Sequence, residues 1–361
     1  MRSAGEPGEC AVRISASGTS EGGYVSWARR NLRLHGANGG TWIRTLSPWL
    51  RTVAALAILG ALAWRLGSEP FLDGLRVLNG WALAAAVGLG ALTTMCSAWR
   101  WSLVAEGLGI RVRLPLAIAH CYRSVFLNAV LPGGVLGDVD RAVRHGSDAG
   151  DLGRGARTVF WERSAGQAVQ IGIALVVLSV FASPIQWVVP LLAGGVLAAA
   201  LTLLLLRRAL RSGVLSGRIR PTLPPPGLPG RHMARWRRAI LTARADIRNG
   251  VLARRTWLGI VLASAIAVTG HLAMFVVAAR ATHVTAPLTQ VVPLVLLALL
   301  AMALPLNIGG WGPREGVAAW AFAAGGLGAD QGITTAVAYG ALVLVASLPG
   351  AVILLCGRRT K

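Results

Sequence analysis

The length of the uncharged apolar stretches constrains this chain more than any other feature. Residues 166–206 contain no Asp, Glu, Lys or Arg, and only 14% of all residues are charged, against about 25% in soluble domains. Because a bilayer core about 30 Å thick needs roughly 20 helical residues to cross it, these stretches predict an all-α polytopic membrane protein. They argue against a soluble globular fold.

The apolar windows number nine. They lie at 49–66, 79–98, 115–135, 158–181, 184–206, 256–279, 287–304, 314–327 and 331–356. The window 115–135 differs from the others, because His120, Arg123 and Asn128 interrupt it and the Pro-Gly-Gly at 132–134 breaks any helix. We therefore expect about eight transmembrane helices plus one re-entrant or broken helix, with 314–327 as the weakest span.

The positions of the arginines predict the orientation, since basic loops stay in the cytoplasm. Loop 207–255 holds 13 Arg against the single acid Asp246, and loops 99–114 and 136–157 are also basic. If both of the latter are internal, 115–135 cannot be a simple span. For Arg231 to Arg255, two readings stay open: an ordinary positive-inside loop, and a basic amphipathic segment on anionic lipid.

The domain prediction follows from the same pattern. Residues 1–48 are rich in Gly, Ser and Arg without a sustained apolar run, so we expect a flexible cytoplasmic tail. The transmembrane domain is 49–356, and 357–361 is a cytoplasmic C-terminal tail. The cytoplasmic membrane is the expected location.

Several classes of function are disfavoured by composition. The net charge of +22 could suggest nucleic acid, but the arginines cluster between apolar stretches rather than along a soluble face. The four cysteines are scattered without metal-ligand spacing, and no Walker A pattern occurs. We expect no nucleic-acid partner, no metal and no cofactor.

Two segments, 128–141 and 304–316, interrupt the apolar pattern in the same way. Each carries a Leu-Pro, an Asn, a Gly-Gly pair and then an acid close to an Arg. Unwound backbone at membrane depth survives only where protein or a polar cavity covers it. Gly/Pro-interrupted segments at corresponding positions of two halves point to a central binding site in transporters. The pattern suggests an internal pseudo-repeat.

Charged residues in or near these segments are the candidates for binding a head group, since an unpaired charge at the bilayer centre costs roughly 2.5–3.5 kcal/mol. If a helix starts just after Gly137, Asp138 and Arg141 share one face. The alternative is that the charges are ion pairs at helix ends. The candidate substrate-binding residues are Arg123, Asn128, Pro132, Gly133, Gly134, Gly137, Asp138, Arg141, Glu162, Arg163, Asn307, Gly309, Gly310, Gly312, Arg314 and Glu315.

Roles within that set follow from side-chain chemistry. Guanidinium suits bidentate phosphate recognition, so we expect Arg123, Arg141 and Arg314 to contact the head group. Asp138 and Glu315 would orient those arginines or bind an amine.

These motifs resemble the transmembrane family named after the lysylphosphatidylglycerol synthetases, a flippase-like membrane domain. The resemblance covers about residues 50–356. The matching positions are Phe126, Asn128, Leu131, Pro132, Gly133, Gly134, Gly137, Asp138 and Arg141, then Glu162 and Arg163, then Gly309, Gly310, Gly312, Arg314, Glu315 and Gly316. The chain departs from the family pattern at Leu136, Asp140 and Pro313, which bears on the substrate.

The resemblance implies a protein that moves or handles amphiphilic lipids. In bifunctional members a cytosolic aminoacyl-transfer domain follows the membrane domain. Because the chain stops at Lys361, we expect that domain and synthetase activity to be absent.

The leading functional hypothesis is a flippase for an anionic phospholipid or a lipid-linked intermediate. A membrane glycosyl- or lipid-modifying transferase is the enzyme alternative, with a base among Glu69, Asp73, Asp138 and Glu315. An accessory or lipid-sensing subunit is the third. The partners considered are membrane lipids, a lipid-synthesising enzyme and a second copy of the chain.

Overall fold

A computed structural model describes residues 72–73, 76, 79–131, 134–181, 187, 190, 193–195, 197, 201, 230–302 and 312–356. This part of the chain is helical and contains no strand. Its helices are α1 Gly80–Gly107, α2 Leu114–Val130, α3 Leu136–Asp148, α4 Leu152–Val180, α5 Gly230–Asp246, α6 Trp257–Ala281, α7 Leu288–Ala301, α8 Pro313–Ala324 and α9 Ala329–Cys356. A π-helical turn, Ile247–Val251, follows α5.

Four helices, α1, α4, α6 and α9, are long and apolar enough to cross a membrane. They confirm the expected class of all-helical membrane protein. The expected count of about eight spans is not confirmed. Window 49–66 lies outside the described residues, as does most of 184–206. Helices α7 and α8 have 14 and 12 residues, or about 21 and 18 Å at 1.5 Å per residue.

Two predicted loops are largely helical. Helix α1 continues through Gly107, so Arg100 lies inside a long helix and not in a loop. Residues 136–157 hold all of α3 and the start of α4. Two of the arginines in these predicted loops, Arg100 and Arg141, are accommodated in helices because the buried carboxylate of Glu162 pairs with both.

Helices α2 and α3 form a hairpin around the predicted break. Helix α2 ends at Val130, α3 begins at Leu136, and the two helices pack against each other. The Asn128 Oδ1 accepts a hydrogen bond of 2.7 Å from the Gly137 backbone N–H, which ties the two sides of the break together. The predicted broken helix is confirmed here. Pro132 and Gly133 lie outside the described residues.

Helices α7 and α8 form a second hairpin within the predicted spans 287–304 and 314–327, and neither helix reaches the length of the four candidate spans. The Gln290 side chain near the start of α7 donates a 2.7 Å hydrogen bond to the carbonyl of Gly325, directly after α8. The start of α7 and the end of α8 therefore lie at the same end of the bundle. Gln331 at the start of α9 joins them, donating to the Thr282 carbonyl at 2.6 Å.

The α2–α3 hairpin opens at the opposite end of the bundle. Short connections link it to the end of α1 and the start of α4. Asp246, at the end of α5, docks at this end by accepting hydrogen bonds from Arg157 at 2.9 Å and Trp161 at 3.2 Å. The predicted basic segment at 231–255 thus includes a helix whose last residue, Asp246, the one acid of loop 207–255, is hydrogen-bonded to α4. Residues 207–229 lie outside the described part.

The largest apolar cluster joins α6, α7, α8 and α9 and packs against α1 and α4. Phe275 stacks on Tyr339 with ring centroids 4.5 Å apart, and both side chains are fully buried. Because this cluster surrounds the α7–α8 hairpin, the hairpin is held by core packing.

Candidate functional site

The candidate site is built around Glu162, which lies about three turns into α4 and is 1% exposed. Its Oε1 accepts a 2.8 Å hydrogen bond from the Nε of Arg100 on α1. Its Oε2 accepts one of 2.7 Å from Arg141 on α3. A buried carboxylate needs partners of this kind, because burial without them strongly disfavours its charged form.

Asp138 is the second carboxylate of the network, in the first turn of α3. It accepts hydrogen bonds from Arg163 at 2.7 Å and from Ser124 at 2.9 Å, and it lies 3.4 Å from Arg141. Burial disfavours the ionised form of Asp138, but the Arg163 and Arg141 guanidiniums outweigh that effect and hold its pKa below the usual value. The prediction that Asp138 and Arg141 share one helix face is confirmed.

Arg141 is enclosed on all sides. Its guanidinium lies 4.9 Å from the ring centroid of Trp101 and donates to the Cys121 sulfur at 3.2 Å. His145, one turn further along α3, meets the same Trp101 edge-on at 5.0 Å. These contacts make Arg141 an internal ion-pair partner of Glu162.

The second segment places an Arg and an acid side by side at the start of α8. Glu315 Oε2 accepts a 2.7 Å hydrogen bond from the Gly312 N–H, and its Oε1 accepts one of 2.9 Å from Arg314 Nε. Gly312 has φ +110°, a conformation that other residues rarely adopt. The Arg314 guanidinium lies 5.3 Å from the ring centroid of Tyr339.

A cavity of about 270 Å³ lies between these two networks. Arg100 of α1, Arg163 of α4 and Arg314 of α8 line it, so arginines from three helices meet at one space. Asn128 and Gly134 bring the first broken segment to the same wall. The structure therefore joins the two Gly/Pro-interrupted segments at a single cavity.

The predicted site residues fall into three groups. Those that line the cavity are Asn128, Gly134, Arg163 and Arg314. Those that do not line it are Arg123, Gly137, Asp138, Arg141, Glu162, Gly312 and Glu315. Those outside the described residues are Pro132, Gly133, Asn307, Gly309 and Gly310. Arg123 of α2 pairs with Asp140 of α3 at 2.9 Å, so the Arg123 charge lies beside α3 and not at the cavity.

Sequence reasoning missed several polar residues of the cavity wall. Gln167 and Gln170 follow Arg163 at helical spacing, so the three share one face of α4, and that spacing could have indicated it. His271 and Tyr339 line the cavity from α6 and α9 and are hydrogen-bonded at 3.0 Å. No sequence spacing could have indicated that His271 and Tyr339 are partners, because 68 residues separate them.

The described residues contain no group of three His, Cys, Asp or Glu side chains that could hold a metal ion. What the cavity offers instead is fixed positive charge with hydrogen-bond donors. Arginine side chains are suited to anionic ligands.

The family model described as "Lysylphosphatidylglycerol synthase TM region" matches residues 49–350. This range contains the cavity and both broken segments. A search of curated proteins finds no match.

Proposed function

Since this chain belongs to the lysylphosphatidylglycerol synthase transmembrane family, we propose that it moves an anionic phospholipid or lipid-linked intermediate between membrane leaflets. In this proposal the head group enters the cavity while the acyl chains stay in the bilayer. Family membership supports a membrane protein with a lipid-related function. The proposed movement of a lipid between leaflets rests on the cavity.

The observation that carries the proposal is that three arginines, Arg100, Arg163 and Arg314, line one cavity. Arginine forks match phosphate oxygens bidentately. A cavity of about 270 Å³ is slightly smaller than typical sites for whole drug-sized ligands, which start at roughly 300 Å³. It suits a head group better than an entire lipid.

The hairpins supply a second argument. The α2–α3 and α7–α8 hairpins open at opposite ends of the bundle, and residues of both line the cavity. Broken elements that meet at a central site are typical of transporters that expose the site alternately to each side. We place the end that bears α5 in the cytoplasm, because basic segments remain inside, and the chain in the cytoplasmic membrane.

The test is leaflet redistribution in liposomes that contain the purified protein and fluorescent anionic, zwitterionic or polyprenyl-phosphate lipids. The variant is Arg163→Gln. Its side chain is 47% exposed, and Asp138 keeps Arg141 as a partner, so the fold should survive. Loss of one charge-assisted hydrogen bond of about 1.5–3 kcal/mol predicts a rate at least about tenfold lower.

The matched control is Arg144→Gln on α3. Arg144 is 43% exposed and pairs only at the surface with Asp140 among the described residues, where an ion pair contributes little. Its rate should equal that of the unaltered protein. The proposal fails if no lipid redistributes, or if Arg163→Gln and Arg144→Gln behave alike.

A further inference from the structure

His271 is the ionisable side chain near the middle of α6. The other charged side chain of this helix, Arg280, lies in its last turn. An ionisable residue inside a membrane-spanning helix is costly and points to a functional site. Histidine is also the side chain that gains and loses a proton near neutral pH. These two properties make His271 a candidate proton-binding group.

His271 lies where two cavities adjoin. The larger is the arginine-lined cavity of about 270 Å³, and the smaller one measures about 40 Å³. The residues that line both are Ser97, Val125, His271 and Val343. The smaller cavity has room for about three water molecules, at roughly 10–15 Å³ each.

Hydroxyl groups form much of the wall of the smaller cavity. They belong to Thr93, Thr94 and Ser97 of α1 and to Ser347 of α9. The Thr93 hydroxyl donates to the Gly90 carbonyl at 3.1 Å, and the Ser347 hydroxyl donates to the Leu344 carbonyl at 2.7 Å. Both oxygens keep lone pairs that can accept hydrogen bonds from water. Water in this space therefore has partners and can relay a proton to His271.

The neighbouring helices hold His271 beside these hydroxyls. A Cβ at Gly270 would lie 2.5 Å from the Cγ2 of Thr93, so the absence of a side chain at Gly270 lets α6 approach α1 closely. The Nδ1 of His271 is hydrogen-bonded to the Tyr339 hydroxyl of α9 at 3.0 Å. Because a hydroxyl both donates and accepts, Tyr339 can be the partner of His271 with or without the added proton.

Protonation of His271 and binding of an anion favour each other at this site. The titratable side chains that line the larger cavity with His271 are Arg100 of α1, Arg163 of α4, Arg314 of α8 and Tyr339 of α9. Helix α7, which also packs on α6, has no titratable side chain. Glu162 and Asp138 bind Arg100 and Arg163 but do not line the cavity. An anion beside the arginines attracts a positive charge on His271, and this coupling is reciprocal.

We propose that His271 binds a proton when an anionic head group occupies the cavity, which makes the proton the coupling ion of transport. This inference rests on the proposed function and adds the ion that drives it. The added hydrogen goes to an imidazole nitrogen, and its charge offsets that of one phosphodiester. One lipid and one proton then move together without net charge.

Titration calorimetry on the detergent-solubilised protein measures proton uptake separately from transport. The probe is dihexanoyl phosphatidylglycerol, because its phosphodiester keeps one negative charge at every pH used. The binding heat in two buffers of different ionisation enthalpy gives the number of protons taken up per bound lipid. Between about pH 7.5 and about pH 5.5, we expect uptake approaching one proton and an affinity that rises up to about tenfold for each pH unit of acidification. No uptake, or no binding, overturns the inference.

His271→Gln keeps a side chain that can bond to Tyr339 but cannot be protonated, so its binding should take up no proton. Tyr339→Phe retains the ring against Phe275 and removes the hydroxyl partner, so its uptake should fall. His283→Asn is the matched control. His283 is exposed beyond the end of α6 and lines neither cavity, and Asn tolerates its φ of +60°. Full uptake in His271→Gln or in Tyr339→Phe, or a loss in His283→Asn, overturns the inference.

Transport in liposomes gives a second readout. Fluorescent phosphatidylglycerol should accumulate in the leaflet on the alkaline side of an imposed pH gradient, by up to about tenfold for each pH unit. A sodium gradient or a membrane potential should have no such effect, because the pair of lipid and proton carries no net charge. Accumulation driven by sodium or by the potential overturns the inference.

The two proposals fail in different ways. Redistribution that depends on Arg163 but ignores the pH gradient would retain the proposed function and overturn proton coupling. Proton uptake that is lost in His271→Gln, without redistribution of any lipid, would retain the proton site and overturn translocation.

Discussion

At the scale of single residues, Glu162 connects three helices. Arg100 on α1 and Arg141 on α3 both place their charge on this one carboxylate of α4. All three side chains are almost completely buried. A buried ion pair is weak evidence for net stabilisation, but removing one member leaves the others as uncompensated buried charges.

Glu162→Gln should therefore destabilise the protein by about 3–5 kcal/mol. The measurement is the thermal or denaturant midpoint of the purified protein in detergent. Glu106→Gln is the control, because Glu106 lies exposed on α1 and surface substitutions usually stay within about 0.5 kcal/mol. Equal midpoints for the two variants would show that the network does not support the fold.

Acidification should destabilise the protein through His145. Burial lowers the pKa of His145, and the neighbouring His120 lowers it further, although Asp148 opposes both. A histidine whose pKa is lower in the folded state contributes stability fully above its unfolded value, about 6.5, and this contribution falls as the pH decreases below that value.

The measurement is the unfolding midpoint from about pH 7.5 to about pH 5.5. We expect a decrease, and we expect it to be smaller in His145→Phe, which keeps an aromatic ring against Trp101. An identical decrease in the variant would show that other groups account for the pH dependence.

At the scale of elements, the α2–α3 hairpin depends on a close approach of the two backbones at Gly137. A Cβ at this position would overlap the Ser124 carbonyl and lie 2.8 Å from its Cα. Backbone cannot move aside as the end of a flexible side chain can. The absence of a side chain at Gly137 is thus a condition for the hairpin that carries Asp138 and Arg141.

Gly137→Ala should destabilise the protein and reduce lipid redistribution together, because the hairpin would have to separate. Gly172→Ala on α4 is the matched control, since a Cβ there meets nothing within 4 Å. Both changes raise helix propensity by about 1 kcal/mol, so Gly172→Ala should be neutral or stabilising. A neutral Gly137→Ala would contradict the close packing of α2 and α3.

Sequence reasoning identified the two broken segments but not their architecture. The Leu-Pro and Gly-Gly pairs indicate where regular helix stops, because Pro lacks an N–H and Gly weakens a helix. The pairing of α7 with α8 includes the hydrogen bond from Gln290 to the Gly325 carbonyl. That contact joins residues 35 positions apart, for which no local pattern gives a signal.

At the scale of the whole molecule, the hairpin arrangement determines which ends of the helices share a side. With α7 and α8 returning to the same end, α9 starts where α6 ends and finishes at the opposite end. The last residue of α9, Cys356, then lies at the end of the bundle that bears α5. This arrangement is compatible with the prediction that residues 357–361 are internal, and α7 and α8 are each shorter than the four candidate spans.

Single cysteines test this arrangement in a chain whose four native cysteines are replaced by alanine. Thr285→Cys and Ala324→Cys should be labelled by an impermeant maleimide from the outside of intact cells. Ala149→Cys should be labelled only after the membrane is opened. All three positions are exposed in the structure. Labelling of Ala324→Cys together with Ala149→Cys would contradict the second hairpin.

The sequence by itself determined the class of this protein, because bilayer thickness sets the length of apolar stretches and thus leaves a direct signal along the chain. It also indicated the residues of the two broken segments. The tertiary structure decided which of them reach the cavity. Arg163 and Arg314 line it, whereas Arg141 is enclosed beside Trp101 and Arg100 replaces it at the wall. Arg100 and Arg141 bind the same carboxylate, Glu162, from two different helices, so the packing of α1 and α3 decides which of them lines the cavity. Contacts between such distant residues leave no periodicity in a sequence.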